Sequence, residues 1–127
     1  MTIRSIDHIN ISTDRLAETC AFFKDVLGLT DGFRPNFPFA GAWLYQGDQA
    51  LVHLIEKDKA SVPSAQASLD HFAFVIDDYE AMGATLDAHG IDYRKLETPG
   101  TTIRQYFLTD PNGVTIELNW KGARPTG

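Results

Sequence analysis

The chain has a single cysteine, Cys20, in 127 residues. No intrachain disulfide can form, and nothing calls for an oxidising compartment. Basic residues are outnumbered: 11 Lys and Arg stand against 17 Asp and Glu, for a formal net charge of -6, and no basic cluster exists. That sign of charge argues against nucleic acid or an anionic membrane surface as a partner. No apolar run approaches membrane-spanning length, and Met1-Thr2-Ile3-Arg4 lacks the apolar core of a secretion signal. A soluble cytoplasmic protein is the expectation. The four histidines are also few, so their placement carries information.

Three of them fall inside an internal repeat. Ile6-Asp7-His8-Ile9-Asn10-Ile11 reads like Leu69-Asp70-His71-Phe72-Ala73-Phe74: an apolar residue, Asp, His, then a β-like run. Each half closes on an apolar run with a polar centre, Leu51-Val52-His53-Leu54-Ile55 and Val114-Thr115-Ile116-Glu117-Leu118. His8 and His53 are 45 positions apart, and His71 and Glu117 are 46 apart. Four metal-ligand side chains therefore occupy two equivalent pairs of positions.

The order of elements repeats as well. In the first half, alternation over residues 3 to 12 reads as a strand with Asp7, Ile9 and Ile11 on one side and His8, Asn10 and Ser12 on the other. Ser12-Thr13-Asp14 supplies helix-capping chemistry, and Leu16, Cys20, Phe23 and Leu27 recur at helical spacing up to Gly28. A short strand, an aromatic loop through Phe37 and Phe39, and a hairpin over 42–56 follow. The second half offers a strand over 69–76, a helix over 77–89 with Tyr79, Met82 and Leu86 on its apolar face, then strands over 91–96, 102–108 and 114–120. The division expected is a first βαβββ module at 1–58, a linker at 59–68, a second module at 69–121 and a tail at 122–127. The fold class is α+β. So small a chain has little room for a deep pocket of its own, which favours an oligomer.

Strand alternation places His8, His71 and Glu117 opposite the packed face of their strands. His53 has only apolar neighbours, so its direction comes from the repeat alone. Trp43 and Phe107 are equivalent in the repeat, 64 positions apart like His53 and Glu117. Both are expected on the site wall, with Phe37, Phe39 and Asn10. Arg104 is placed there as an anion anchor, and Arg34 is a second candidate.

These residues resemble the vicinal oxygen chelate superfamily, which includes the glyoxalase, bleomycin-resistance and extradiol dioxygenase proteins. The matching segments are Ile6-Asp7-His8-Ile9, 21–29, 69–74 and Asp110-Pro111-Asn112-Gly113-Val114-Thr115-Ile116-Glu117-Leu118. The resemblance implies two βαβββ modules forming an open cup. It also implies one divalent metal per site, held by His8, His71 and Glu117 with His53 as a fourth ligand. Fe, Mn, Zn or Ni would suit such donors. Two coordination positions left free would receive adjacent oxygens of a small-molecule substrate. A homodimer with two equivalent sites is implied too, with His71 and Glu117 joining His8 and His53 either from the same chain or from its partner.

Branches of the superfamily differ at identifiable positions. A glyoxalase I pattern predicts glutamate where His53 stands and arginine where Ser12 stands. Ring-cleaving dioxygenases carry tyrosine at the Phe107 position and a histidine earlier; none lies between His89 and Glu117. The intact triad argues against pure sequestration. A metal-dependent enzyme is therefore expected, oxygenase-like first and glyoxalase-like isomerase or lyase second, with His53 and Glu117 as the catalytic candidates. The alternative is a bleomycin-resistance-type protein that sequesters an aromatic compound.

Overall fold

A computed structural model describes residues 1–59 and 61–122. Ala60 of the expected linker, and all of the expected tail except Gly122, lie outside the described residues. The chain divides into two compact units, Met1–Ser61 and Val62–Gly127.

The first unit runs β1 (Ile9–Thr13), α1 (Leu16–Ala21), a wider π turn (Phe22–Val26) that continues the helix, β2 (Thr30–Asp31), β3 (Gly41–Gln46) and β4 (Gln49–Glu56). Its sheet has the order β1-β4-β3-β2, with β1 parallel to β4 and the other pairs antiparallel. The packed face carries Ile11, Leu44, Val52 and Leu54, buried with Phe22, Phe23 and Val26 of the helical segment. Gly28 ends that segment at φ 78°, a left-handed conformation that glycine adopts without a Cβ penalty.

The second unit repeats the plan with β5 (His71–Val75), α2 (Tyr79–Ala88), β6 (Arg94–Glu97), β7 (Arg104–Thr109) and β8 (Thr115–Trp120). The order is β5-β8-β7-β6, again with its one parallel pair at the first strand. Two βαβββ modules are thus present, as expected. Asp78 caps α2 by accepting from the Ala81 N–H at 3.0 Å, so the helix starts at Tyr79, two residues after the expected start at Asp77. The segment after Pro63 is not a free linker. The Ser64 hydroxyl accepts from the Thr115 N–H at 2.7 Å, and the Ser64 N–H donates to the Gly113 carbonyl at 3.0 Å. The stretch is held to the start of β8.

Packing of α2 on its sheet turns on one glycine. Tyr106 stacks on Tyr79 with centroids 4.4 Å apart and donates its hydroxyl to the Tyr79 carbonyl at 2.7 Å. A Cβ on Gly83 would sit 2.5 Å from that hydroxyl oxygen. Burial pushes the Tyr106 phenol upward, so it remains a donor at ordinary pH. Gly83→Ala should therefore destabilise by about 1–3 kcal/mol through overpacking, despite alanine's better helix propensity. Combined with Tyr106→Phe, the same change should cost less, because the obstructing oxygen is gone. Urea denaturation of the two single variants and the double variant checks this; strictly additive effects would refute it.

Candidate metal centre

Sheet register, not sequence distance, pairs the ligand candidates. Asn10 lies opposite His53 across β1 and β4, and Ala73 lies opposite Glu117 across β5 and β8. His8 and His71 each sit two residues before those partners. Side chains alternate along a strand, so His71 shares the open face of its sheet with Glu117. In the first unit His8 precedes β1, and its ring stacks on that of His53 at 3.7 Å and 10°.

The two units also share a device that was not anticipated in the sequence. His8 donates from Nδ1 to Asp7 at 2.7 Å, and His71 donates from Nδ1 to Asp70 at 2.7 Å. A carboxylate only accepts, so a proton sits on Nδ1, and in the neutral ring the lone pair is left on Nε2. Both pairs are well exposed, so their contribution is to orientation more than to stability. This corrects the expectation that Asp7 faces the packed side: the strand begins at Ile9, and the Asp7 carboxylate has turned to the adjacent imidazole.

Glu117 is held on both oxygens. Gln105 donates to Oε1 at 3.0 Å and Asn119 to Oε2 at 2.9 Å. Both donors follow from period-two alternation, since Gln105 pairs with Asn119 beside the Phe107–Glu117 pair. The turn that leads into β8 is itself built on a buried carboxylate. Asp110 accepts from the Asn112 N–H, the Val114 N–H and the Asn112 side-chain amide, at 2.8, 2.9 and 2.9 Å. Burial pushes the Asp110 carboxyl up, and these bonds oppose that shift.

The aromatic residues divide between the two faces of the sheets. Trp43 stacks on His53 at 4.1 Å, Phe37 lies 6.3 Å from Trp43, and Phe39 stacks on Phe37 at 5.1 Å. With His8 these rings form one continuous column. A groove of about 570 Å³ runs beside it, lined by Ser5, Asp7, Trp43, Tyr45, Gln49 and His53 among others. Asn10 is exposed on the same face. In the second unit Phe107 meets His71 edge-on at 5.9 Å. Arg94, which the sequence reading did not single out, lies over Phe107 at 5.2 Å. Arg104 is a correction. It sits an odd number of residues from Phe107, so it points to the opposite face, where its guanidinium lies 3.9 Å above the Tyr79 ring and within 3.7 Å of Glu80 and 3.6 Å of Glu97.

The sequence matches the Glyoxalase/Bleomycin resistance protein/Dioxygenase superfamily over residues 5–118. The chain belongs to this superfamily. It is 28% identical over 120 residues to the glutathione transferase FosA of Serratia marcescens, covering 92% of this chain and 81% of that one. It is 31% identical over 126 residues to the uncharacterized protein YaeR of Escherichia coli K12, covering 91% and 95%. Among solved structures, a glyoxalase family protein from Bacillus anthracis superposes with a TM-score of 0.80 at 22% identity, covering 95% of this chain and 98% of the other. Among the described residues, no helix is long and apolar enough to cross a membrane.

Superfamily membership raises the question of a divalent ion, and the residues present can be tested against one. Among the described residues, no three His, Cys, Asp or Glu side chains gather closely enough to hold an ion by themselves. Each unit instead offers a pair of donors with suitable chemistry. Two imidazoles present free Nε2 atoms, and one carboxylate is fixed in place. The Asn119 Oδ1 atom, on the side chain that holds Glu117, is buried without a partner among the described residues, and a water or hydroxyl donor would satisfy it. The donor set fits a borderline metal. Stacked imidazoles hold their lone pairs in two nearly parallel planes, so binding one ion through both His8 and His53 requires one ring to turn.

Burial, helped by the nearby His8, holds the His53 imidazole below its ordinary range. The folded protein then resists a proton that the unfolded chain accepts. The stability associated with neutral His53 is complete above the unfolded value of about 6.5 and is lost as pH falls through the folded value. His53→Gln should accordingly lose less stability than the parent between pH 7.5 and pH 5. Urea midpoints at the two pH values decide it; equal losses would refute the assignment.

Proposed function

We propose that the protein is a divalent-metal enzyme acting on a small molecule that presents two neighbouring oxygens. His8, His71 and Glu117 would hold the ion, with His53 as the fourth donor. The observation that carries this reading is the duplicated Asp–His pair, set two residues before a strand partner occupied by His53 in one unit and Glu117 in the other. Structural histidines have no reason to share a register, a tautomer and a carboxylate in both halves of a repeat.

When bound, the ion would act as a Lewis acid that polarises a chelated oxygen and stabilises negative charge developing on it. The chain's own groups supply the rest. Asp7 and Asp70 fix the imidazole tautomers. Gln105 and Asn119 keep the Glu117 carboxylate aimed and acceptor-only. The Trp43–Phe37–Phe39 rings and Phe107 provide apolar surface that excludes water and orients the substrate's carbon frame. Proton transfer would fall to a Glu117 oxygen released from its amide, or to His53 only where that imidazole is left off the ion.

The sequence placed oxygenase chemistry first. Similarity to a glutathione transferase supports a non-redox reaction instead, so Lewis-acid chemistry on a chelating substrate leads here. Glutathione itself is not assigned as co-substrate, because Ser12 stands where a glyoxalase-type chain has its glutathione-gripping arginine. Turnover of vicinal diols, hydroxyketones and hydroxy acids by metal-loaded protein in anaerobic buffer is the expected result. Oxygen uptake that requires Fe(II) and vanishes in Glu117→Ala would select the oxygenase. The aromatic column favours a second reading, sequestration of an aromatic compound. Tight ligand binding indifferent to chelator, with no turnover, would establish it.

The same reading includes a cytoplasmic homodimer in which sites are shared between copies. Mixing a His8→Ala chain with a Glu117→Ala chain should then restore one competent site per heterodimer, which is half the parental metal content in isolated heterodimer and about a quarter in a random mixture. No recovery would mean that each chain builds its own site.

A further inference from the structure

We infer that Arg34 is the anchor for a carboxylate on the substrate, so that the molecules this protein takes are carboxylic acids. The inference deepens the reading above and rests on it for the location of the reacting oxygens.

Arg34 sits in the aromatic loop between β2 and β3. Its guanidinium lies 4.9 Å from the Phe37 ring centre and 5.3 Å from that of Phe39, and one Nη donates to the Phe39 carbonyl at 3.1 Å. Gly41 leaves room for it: a Cβ there would come within 2.7 Å of that Nη and would also strike the Leu54 carbonyl. The side chain is therefore seated, with rings against it and a backbone acceptor at its tip. Two things are missing from this seat. Among the described residues Arg34 Nε is buried with no hydrogen-bond partner. Among the described residues no carboxylate pairs with the guanidinium, although acidic residues outnumber basic ones in the chain.

A cation half-buried without a counter-charge, with an unpaired buried N–H, is costly to keep unless something pairs with it. The Nη–H groups that the Phe39 carbonyl leaves unused form a planar donor edge that matches the oxygens of a carboxylate, while the Nε–H is closed off from solvent and is reached only when the loop shifts. The position is right for a substrate contact. Phe37, which the guanidinium touches, is next to Trp43, and Trp43 is stacked on His53. Arg104, the other arginine considered from sequence, has acidic partners and faces away.

Benzoate and benzamide are the probes, being nearly isosteric with and without the charge. Full-chain protein is kept in chelator at constant ionic strength, so the result does not depend on metal. The readouts are the arginine Nε–H and tryptophan indole resonances in a proton–nitrogen correlation spectrum. Benzoate should shift the Arg34 Nε–H and the Trp43 indole saturably, with benzamide at least tenfold weaker. Arg34→Lys keeps the charge and the stem but loses the fork, and should weaken benzoate at least tenfold with an unchanged melting temperature. Arg34→Met should do the same if the lysine variant is poorly folded. Equal binding of benzamide, equal binding by the folded lysine or methionine variant, or shifts shared by all arginines would overturn the assignment. Metal content of Arg34→Lys, measured separately, should equal the parent's. Loss of carboxylate binding with metal retained bears on Arg34 alone, while absence of metal in the parent bears on the enzyme reading alone.

Discussion

Replacing His71 with Ala should leave the purified protein without its proposed stoichiometric divalent ion, and Glu117→Gln should do nearly the same. Outer partners of metal-ligating histidines typically contribute about 10- to 100-fold in affinity, so removal of a ligand itself should cost more than about 100-fold. Neither substitution should unfold the chain. His71 is exposed at the start of β5, and Glu117 is only half-buried, so no core contact is lost. Glu117→Gln is the more instructive of the two. Both carboxylate oxygens now accept amide donors. A glutamine there turns one of them into an NH₂ that faces another NH₂, so either Gln105 or Asn119 must flip its amide. The local network survives while the charge is lost. Metal analysis of gently purified parent and variants, with circular dichroism to confirm folding, gives the answer. Full metal content in His71→Ala would remove the foundation of the proposed function.

How far the sequence already contained this site can be judged residue by residue. The repeat and the period of two put His71 and Glu117 on one face, and the parallel register of β5 with β8 realises that face. The same arithmetic was available for Gln105 and Asn119, which flank the Phe107–Glu117 pair on that face. Nothing in the residue types alone marks these two amides as partners of a ligand carboxylate. Arg104 shows the rule neglected: three residues from Phe107 is an odd step, and the side chain had to go to the helix side, where Tyr79 and two glutamates receive it.

Asp7 shows the rule applied beyond its domain. Alternation holds only where backbone is paired in a sheet, and β1 does not begin until Ile9. Ahead of it the side chain is free to turn, and the nearest favourable partner for its charge is the His8 N–H. Arg34 was legible only as a candidate. Its seat depends on the course of an irregular loop and on the missing Cβ of Gly41, neither of which periodicity describes. The helix that turns to π geometry at Phe22–Val26 was also hidden, since a change of pitch late in a helix leaves its apolar spacing almost intact.

The Asp–His pairs give the second large expected effect. Asp70→Asn keeps the shape of the side chain but removes the charge, and its amide can offer either an oxygen or an NH₂ to His71 Nδ1. When the NH₂ faces the ring, Nδ1 must accept, the proton moves to Nε2, and the lone pair that would meet a metal is gone. Part of the population is thereby trapped in the wrong tautomer, and the rest binds with a less basic imidazole. Metal affinity should fall about 10- to 100-fold in Asp70→Asn. Asp7→Asn should fall by a comparable factor, since the 2.7 Å bond is the same in both halves. Stability should hardly change, because both carboxylates are exposed. Competition with a chromogenic chelator measures the affinity. Nitrogen NMR of the imidazoles reports the tautomer directly, showing protonated Nδ1 in the parent and a mixture in the variants. Parental affinity with an unchanged tautomer in Asp70→Asn would show that the Asp–His repeat has no part in ligand chemistry. A loss in one half only would mean that one pair of donors holds the ion without the other.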